Sequence, residues 1–178
     1  KDFKVGDQVY GSAFLSSKGG FYAEYVAVMA DQAAKVPKGL KVEQAAVLAA
    51  DGLTGLLGLE EHLQLKSGQK LLIFGASGGI GHIALQLAKR LGAKVLAVAS
   101  GQDGVELARR LGADAVAEGH QEDLEKVCRD FAPDGFDAAL VLARGDAAEP
   151  LLRNVRKGGR IAYPNGVPHI GHAYEYIA

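Results

Sequence analysis

The 178-residue chain has 48% hydrophobic and 23% charged residues, the balance of an ordinary globular domain with length enough for one good core and part of a second domain. Its formal net charge is −1, which gives no electrostatic case for nucleic acid or an anionic membrane as partner. One cysteine excludes an internal disulfide and a cysteine-built zinc site, and fits a reducing, cytoplasmic setting.

No apolar run approaches the ~20 residues of a membrane span, and no signal peptide is visible. The chain opens on Lys1 and stops at the strand-like YEYIA (174–178), so a piece of a longer protein is expected.

Residues 1–36 read as β-rich, with VGDQVYG and FYAEYVAV as β-prone runs around a Ser/Lys/Gly loop. Pro37-Lys38-Gly39 breaks the pattern, and VEQAAVLAADGLTGLLGLEEHL from Val42 reads as one or two helices. Lys66–Gln69 forms a turn. Strands and helices then alternate, with strands expected at 70–75, 94–99, 113–117, 136–142 and 159–163. Helices are expected near 79–91, 103–111, 121–131 and 146–156. Ile80, Ile83, Ala84, Leu87, Ala88 and Leu91 recur at helical spacing, as do Leu124, Val127, Cys128 and Phe131. Cys128 on that stripe reads as a packed thiol rather than a nucleophile.

AKRLGAKVLAV (88–98) and ARRLGADAVAE (108–118) repeat after 20 residues, each a helix end, a glycine suited to a left-handed cap and a strand. Strands 71–74 and 95–98 are continuously apolar, as when helices cover both sheet faces. The fold class is therefore α/β, a Rossmann-type doubly wound parallel sheet.

The chemistry sits in GASGGIG (75–81), between a buried strand and an amphipathic helix. From Ala76 it reads A-x-G-x-x-G, a variant of the dinucleotide fingerprint. Gly78 would let the backbone approach a pyrophosphate, Gly81 would let the helix pack on the sheet, and helix-start amides would face phosphate oxygens. Ser77 adds a hydroxyl; the bland alternative is a merely tight turn. The second strand ends on Ser100 and Gly101, where an NAD site usually carries an acid for the ribose hydroxyls. A hydroxyl tolerates a 2′-phosphate, so NADP is favoured and NAD stays open. Gln102, Asp103 and Gly104 offer no cation, and Asp103 reads as a helix N-cap. The missing acid argues against a methyltransferase, and the missing GK[ST] against a P-loop NTPase.

FKVGDQVYG, GGFYAEYVAV, AAVLAADGLTG, GASGGIGHIALQLAKRLGA, RLGAD and VRKGGRIAYPNG together resemble a medium-chain dehydrogenase/reductase, most of all the zinc-free quinone oxidoreductase (zeta-crystallin-like) branch. The resemblance implies a remnant of a GroES-like substrate domain over 1–37 and a dinucleotide-binding domain over 38–178, with the start and end of the substrate domain absent from this chain. It places Thr54 near the nicotinamide, Gly79 and Ile80 on the diphosphate, and Ala143 and Asn165 in the cofactor set. Many relatives carry a lysine for the 2′-phosphate where Gly104 stands, a tyrosine where Gly119 stands, and a glycine at Arg144. The four-cysteine lobe of zinc enzymes has no room in residues 11–18, and their third catalytic ligand would fall near Ala50. No metal is expected: His169 and His172 read as surface or strand histidines, His82 as a packing or solvent residue, and His62 and His120 have no partner pattern.

The reading that follows is hydride transfer from NADPH to a quinone or α,β-unsaturated carbonyl, without zinc, in a cytoplasmic homodimer joined through 174–178. The catalytic groups are not identified in this chain. An enoyl-thioester reductase and an NADP(H)-binding sensor with little turnover are the alternatives.

Overall fold

A computed structural model describes residues 3–12, 22–120, 123–144 and 148–164. The chain divides into two compact units, Lys1–Leu53 and Thr54–Ala178.

In the first unit, β1 (Val9–Gly11) pairs antiparallel with β2 (Ala33–Lys35), and α1 (Val42–Val47) continues into a π-helical turn, Leu48–Gly52. Asp7 and Lys35 close the hairpin-like pair with a 2.8 Å ion pair. The expected strand at FYAEYVAV is absent among the described residues 22–28, where the backbone is irregular and Tyr22, Tyr25 and Val26 are exposed. β propensity becomes a strand only where a neighbour accepts its ladder and its apolar face, and among the described residues no strand pairs with 22–28.

The second unit begins within α2 (Leu53–Leu57), which a π-helical turn, Gly58–His62, follows. The helical run Val42–His62 spans 21 residues with a mean hydropathy of 1.2, long and apolar enough to cross a membrane by length and composition. The sequence expectation that no apolar run approaches a membrane span in length is corrected by this helix, which includes the charged Asp51 and still reaches that mean hydropathy. Gly55, Gly58 and Leu59 of the run are buried, and Leu59 belongs to the core of the second unit.

Five parallel strands follow: β3 (Lys70–Phe74), β4 (Lys94–Ala99), β5 (Ala115–Glu118), β6 (Phe136–Val141) and β7 (Val155–Ala162), in the spatial order β5-β4-β3-β6-β7. The intervening helices are α3 (Gly79–Arg90), α4 (Gly101–Arg110), α5 (Leu124–Phe131) and α6 (Ala148–Leu152). The order reverses at β3, as in a Rossmann-type doubly wound sheet. Alternate side chains divide the core by face. Leu71, Ile73, Val95, Ala97, Ala138 and Leu140 join one cluster with Ala84, Leu85 and Ala88 of α3. Leu72, Phe74, Leu96, Val98, Ala139 and Val141 join the other with Leu124 and Cys128 of α5 and Leu151 of α6. Continuous apolar strands are the result of burial on both faces.

The repeated helix ends are the same motif twice. Gly92 N donates to Lys89 O and Ala93 N to Ala88 O, and Gly112 N donates to Arg109 O and Ala113 N to Ala108 O. Both are Schellman caps, with the glycines left-handed at φ 82° and 91°. Lys89 ties the pair together through Asp114, whose carboxylate also accepts from Val95 N at 2.7 Å.

Several boundaries differ from the sequence expectation: β5 begins at Ala115 rather than 113 and α5 at Leu124 rather than 121, and three others bear on the site or its strands. α4 begins at Gly101 with Ser100 as N-cap, so Asp103 lies in the first turn and is not the cap. α6 stops at Leu152, where Arg153 N and Asn154 N turn back to Pro150 O and Leu151 O. β7 therefore starts four residues earlier than 159, with a register irregularity against Phe136–Ala138. Cys128 is fully buried, and desolvation pushes its thiol up to about 11, which makes it an inert core group.

Candidate cofactor site

The site lies at the carboxyl ends of β3, β4 and β6, where the strand order reverses and a crevice opens by topology alone. β3 ends at Phe74, and Gly75 adopts φ +88°, a left-handed conformation that turns the chain out of the sheet. Gly75 N and Ala76 N both donate to Val98 O, at 3.0 and 2.9 Å. On the other side Leu142 N donates to Phe74 O at 2.8 Å, and a Cβ on Gly75 would lie 3.0 Å from the Ala143 Cβ. The turn is thus wedged between the exits of β4 and β6.

Gly78 is the N-cap of α3, in extended conformation at ψ 176°, and the first helical bond runs from His82 N to Gly78 O. The amides of Gly79, Ile80 and Gly81 precede that bond and have no intrahelical acceptor. Gly78 and Gly79 are exposed and Ile80 is half-buried. A free helix start on an exposed glycine edge is an anion cradle. The two later glycines of the fingerprint differ in role. A Cβ on Gly81 would stand 2.2 Å from Gly75 O and 2.8 Å from the Ala76 backbone, so only glycine lets the helix pack on the turn. A Cβ on Gly78 would meet nothing closer than Gly75 O at 3.4 Å, so the space in front of Gly78 is left by the protein and available to a ligand. The residues present therefore fit a dinucleotide.

Of the remaining sequence-assigned residues, Ser77, Ser100, Gly101 and Ala143 flank this turn. Ser77 is half-buried, and Ser100 N approaches its Oγ at 3.5 Å. Ser100 and Gly101 are exposed at the β4-to-α4 turn, and Ala143 flanks Gly75. Thr54 is the second residue of α2, immediately before Gly55, where an added Cβ would stand 3.5 Å from the Ala84 Cβ in the second turn of α3. Asn165 lies outside the described residues, as do His169, His172 and the 174–178 segment.

Four residues were not singled out as site components by sequence reasoning. Gly75 is the left-handed residue of the turn; its signal was a glycine directly after the last apolar strand residue. His82, read as packing or solvent, donates from Nδ1 to Gly78 O at 2.9 Å and steadies the cap. Gly104 is a close-approach glycine, since a Cβ there would stand 2.8 Å from the Ser77 Cβ. Glu118 at the end of β5 is buried, and its carboxylate accepts from Gly101 N at 3.0 Å and His120 N at 2.7 Å. Among the described residues no group of three or more His, Cys, Asp or Glu gathers as a metal site, and Ala50 is exposed with no ligating atom.

The sequence profile of the family described as "Zinc-binding dehydrogenase" matches residues 79–170, over half of the chain. A quinone oxidoreductase from Sus scrofa is 31% identical over 160 residues, covering 89% of this chain and 48% of that protein. A mycocerosic acid synthase-like polyketide synthase from Mycobacterium tuberculosis is 34% identical over 160 residues, again 89% of this chain but 7% of that protein. The structure of the quinone oxidoreductase from Coxiella burnetii superposes with a TM-score of 0.83 at 31% identity, over 94% of this chain and 51% of that one. The chain thus spans about half the length of the stand-alone relatives it matches, and a small part of the synthase. The glycine turn at the strand reversal and the matches across it lead to one assignment: the chain belongs to the zinc-binding dehydrogenase family, in the quinone oxidoreductase branch of the medium-chain dehydrogenase/reductase superfamily.

Proposed function

We propose that this chain is the coenzyme-binding part of an NAD(P)H-dependent oxidoreductase that delivers hydride to a quinone or an α,β-unsaturated carbonyl without zinc. The observation that carries the reading is the exposed start of α3 behind a turn whose Gly78 leaves room for a diphosphate. In this reading the amides of Gly79, Ile80 and Gly81 and the hydroxyl of Ser77 hold the diphosphate. Ser100 and Gly101 receive the adenosine ribose. Ala143 and Thr54 line the way to the nicotinamide, and Asn165 completes the set. The coenzyme, when bound, supplies the hydride; the chain supplies position, and orientation accounts for most of the rate it contributes. Ala50 cannot bind zinc, which supports a metal-independent reaction.

The admission of NADPH rests on Ser100 standing where an acid would repel a 2′-phosphate. A cytoplasmic homodimer joined through 174–178 belongs to the same proposal, and size-exclusion chromatography with light scattering tests it. The similarity to a polyketide synthase supports a second reading, reduction of an enoyl thioester. Coenzyme oxidation by the natural gene product, followed at 340 nm with quinones, free enones and enoyl-pantetheine thioesters in parallel, separates the two. Coenzyme binding without turnover of any acceptor would favour a sensor and overturn both.

A further inference from the structure

The end of β4 carries no acid, yet an acid stands beside it. The parallel register sets Glu118 opposite Ala99, one residue before Ser100 and two before Gly101. The Glu118 side chain turns into this corner, is buried, and accepts from Gly101 N, the first amide of α4. His120 N holds the second oxygen, so the backbone of both turns fixes the carboxylate in place. Gly119 N donates to Ala99 O at 2.8 Å, and the missing Gly119 side chain would point within 3.9 Å of Ser100 Oγ. A second acid, Asp103, lies in the first turn of α4, its Oδ1 2.8 Å from the position of a Cβ on Gly101. The basic residues of α4, Arg109 and Arg110, occupy its last turn, about 12 Å along the axis.

In a doubly wound sheet the end of the second strand is where the adenosine ribose lies. A 2′-phosphate placed there would need the Gly101 amide and a cation. The amide already donates to Glu118, and two carboxylates surround it. We infer that Glu118 is a specificity-determining residue: from β5 it supplies the acid that β4 lacks, and it turns this site toward NADH and away from NADPH. The inference rests on the reading of the glycine turn as a dinucleotide site, and it decides between the two coenzymes that reading admits.

The test is calorimetric titration of the natural gene product with NADH and NADPH, as wild type and as Glu118→Gln, which keeps the shape and removes the charge. The wild type is expected to bind NADH at least about tenfold more tightly, and Glu118→Gln to narrow the ratio by about tenfold, chiefly through tighter NADPH binding. A wild-type preference for NADPH, or an unchanged ratio in a variant that melts normally, overturns the inference while leaving the dinucleotide site intact. Should Glu118→Gln fail to fold, wild-type competition by fragments answers the same question: ADP-ribose is expected to bind better than 2′,5′-ADP, and the reverse order overturns the inference. Binding of neither coenzyme would overturn the reading of the turn itself.

Discussion

Replacing Gly81 by alanine places a methyl carbon 2.2 Å from Gly75 O and 2.8 Å from the Ala76 backbone. Ordinary carbon–oxygen contact needs about 1 Å more than the shorter distance allows. All three obstacles are main-chain atoms, so no rotamer change relieves them; the helix must lift or the turn must open. Overpacking of this kind costs about 1–3 kcal/mol, and the improved helix propensity of alanine returns at most about 1. A net loss near 2 kcal/mol lowers the melting temperature by about 4–8 °C. Gly78→Ala is the control. Its φ of −72° suits any residue and the nearest protein atom stands 3.4 Å away, so stability falls by less than about 1 kcal/mol, from a poorer N-cap. That methyl does occupy the space left for the diphosphate, and coenzyme affinity is expected to fall at least about tenfold. Thermal melts and calorimetric titration with NADH read the two effects separately. If Gly81→Ala melts within a degree of wild type, or Gly78→Ala binds coenzyme unchanged, the division of labour between these glycines is wrong.

Three other outcomes follow from the packing. Burial alone would raise the Asp114 carboxyl, but its bonds with Lys89 and Val95 N outweigh that, and its pKa lies below the ordinary carboxylate value. The folded pKa is thus lower than the unfolded one, so this contribution is present above about pH 4 and lost as pH falls through the folded value. Asp114→Asn should cost less than about 1 kcal/mol at pH 7, the group being partly exposed and screened, and should flatten the acid limb of a pH-dependent melt; an unchanged acid limb refutes the assignment. Asp137 accepts from Lys70 N at 2.7 Å and from Arg156 Nε at 2.8 Å, linking β3, β6 and β7. Its replacement by alanine should lower stability by about 1–3 kcal/mol in urea unfolding, with Asp137→Asn recovering part of the loss, whereas equal loss in both variants would point to the ion pair alone. Cys128, with its thiol pushed up to about 11, should resist iodoacetamide at pH 8 until the protein is unfolded; rapid alkylation of the native protein, read by mass spectrometry, would contradict its burial.

The sheet was legible because its strands announce themselves: Leu71–Phe74 and Val95–Val98 are apolar without alternation, and a glycine cluster follows the first of them. The helix caps at Gly92 and Gly112 were legible for a similar reason, since a repeated letter pattern reflects a repeated backbone conformation. The first unit was harder to read. Residues 22–28 carry strong β propensity, but propensity does not specify a partner, and the paired segment is Ala33–Lys35 instead. Around the site, Gly81 declared its packing role through spacing. Glu118 did not, because it reaches Gly101 only through the β4–β5 register, a tertiary fact that no local window contains. Gly104 likewise reads in sequence as the loss of a phosphate-binding side chain and in three dimensions as the place where α4 touches Ser77.

The bonds from Gly75 N and Ala76 N to Val98 O, and from Leu142 N to Phe74 O, suspend the turn on peptide groups that any sequence possesses. Side chains on its rim are consequently free to drift without moving the scaffold. Adaptation to a different coenzyme then needs only a few exchanges at Ser77, Ser100 and Glu118, which gives this architecture its capacity to diversify by small evolutionary steps.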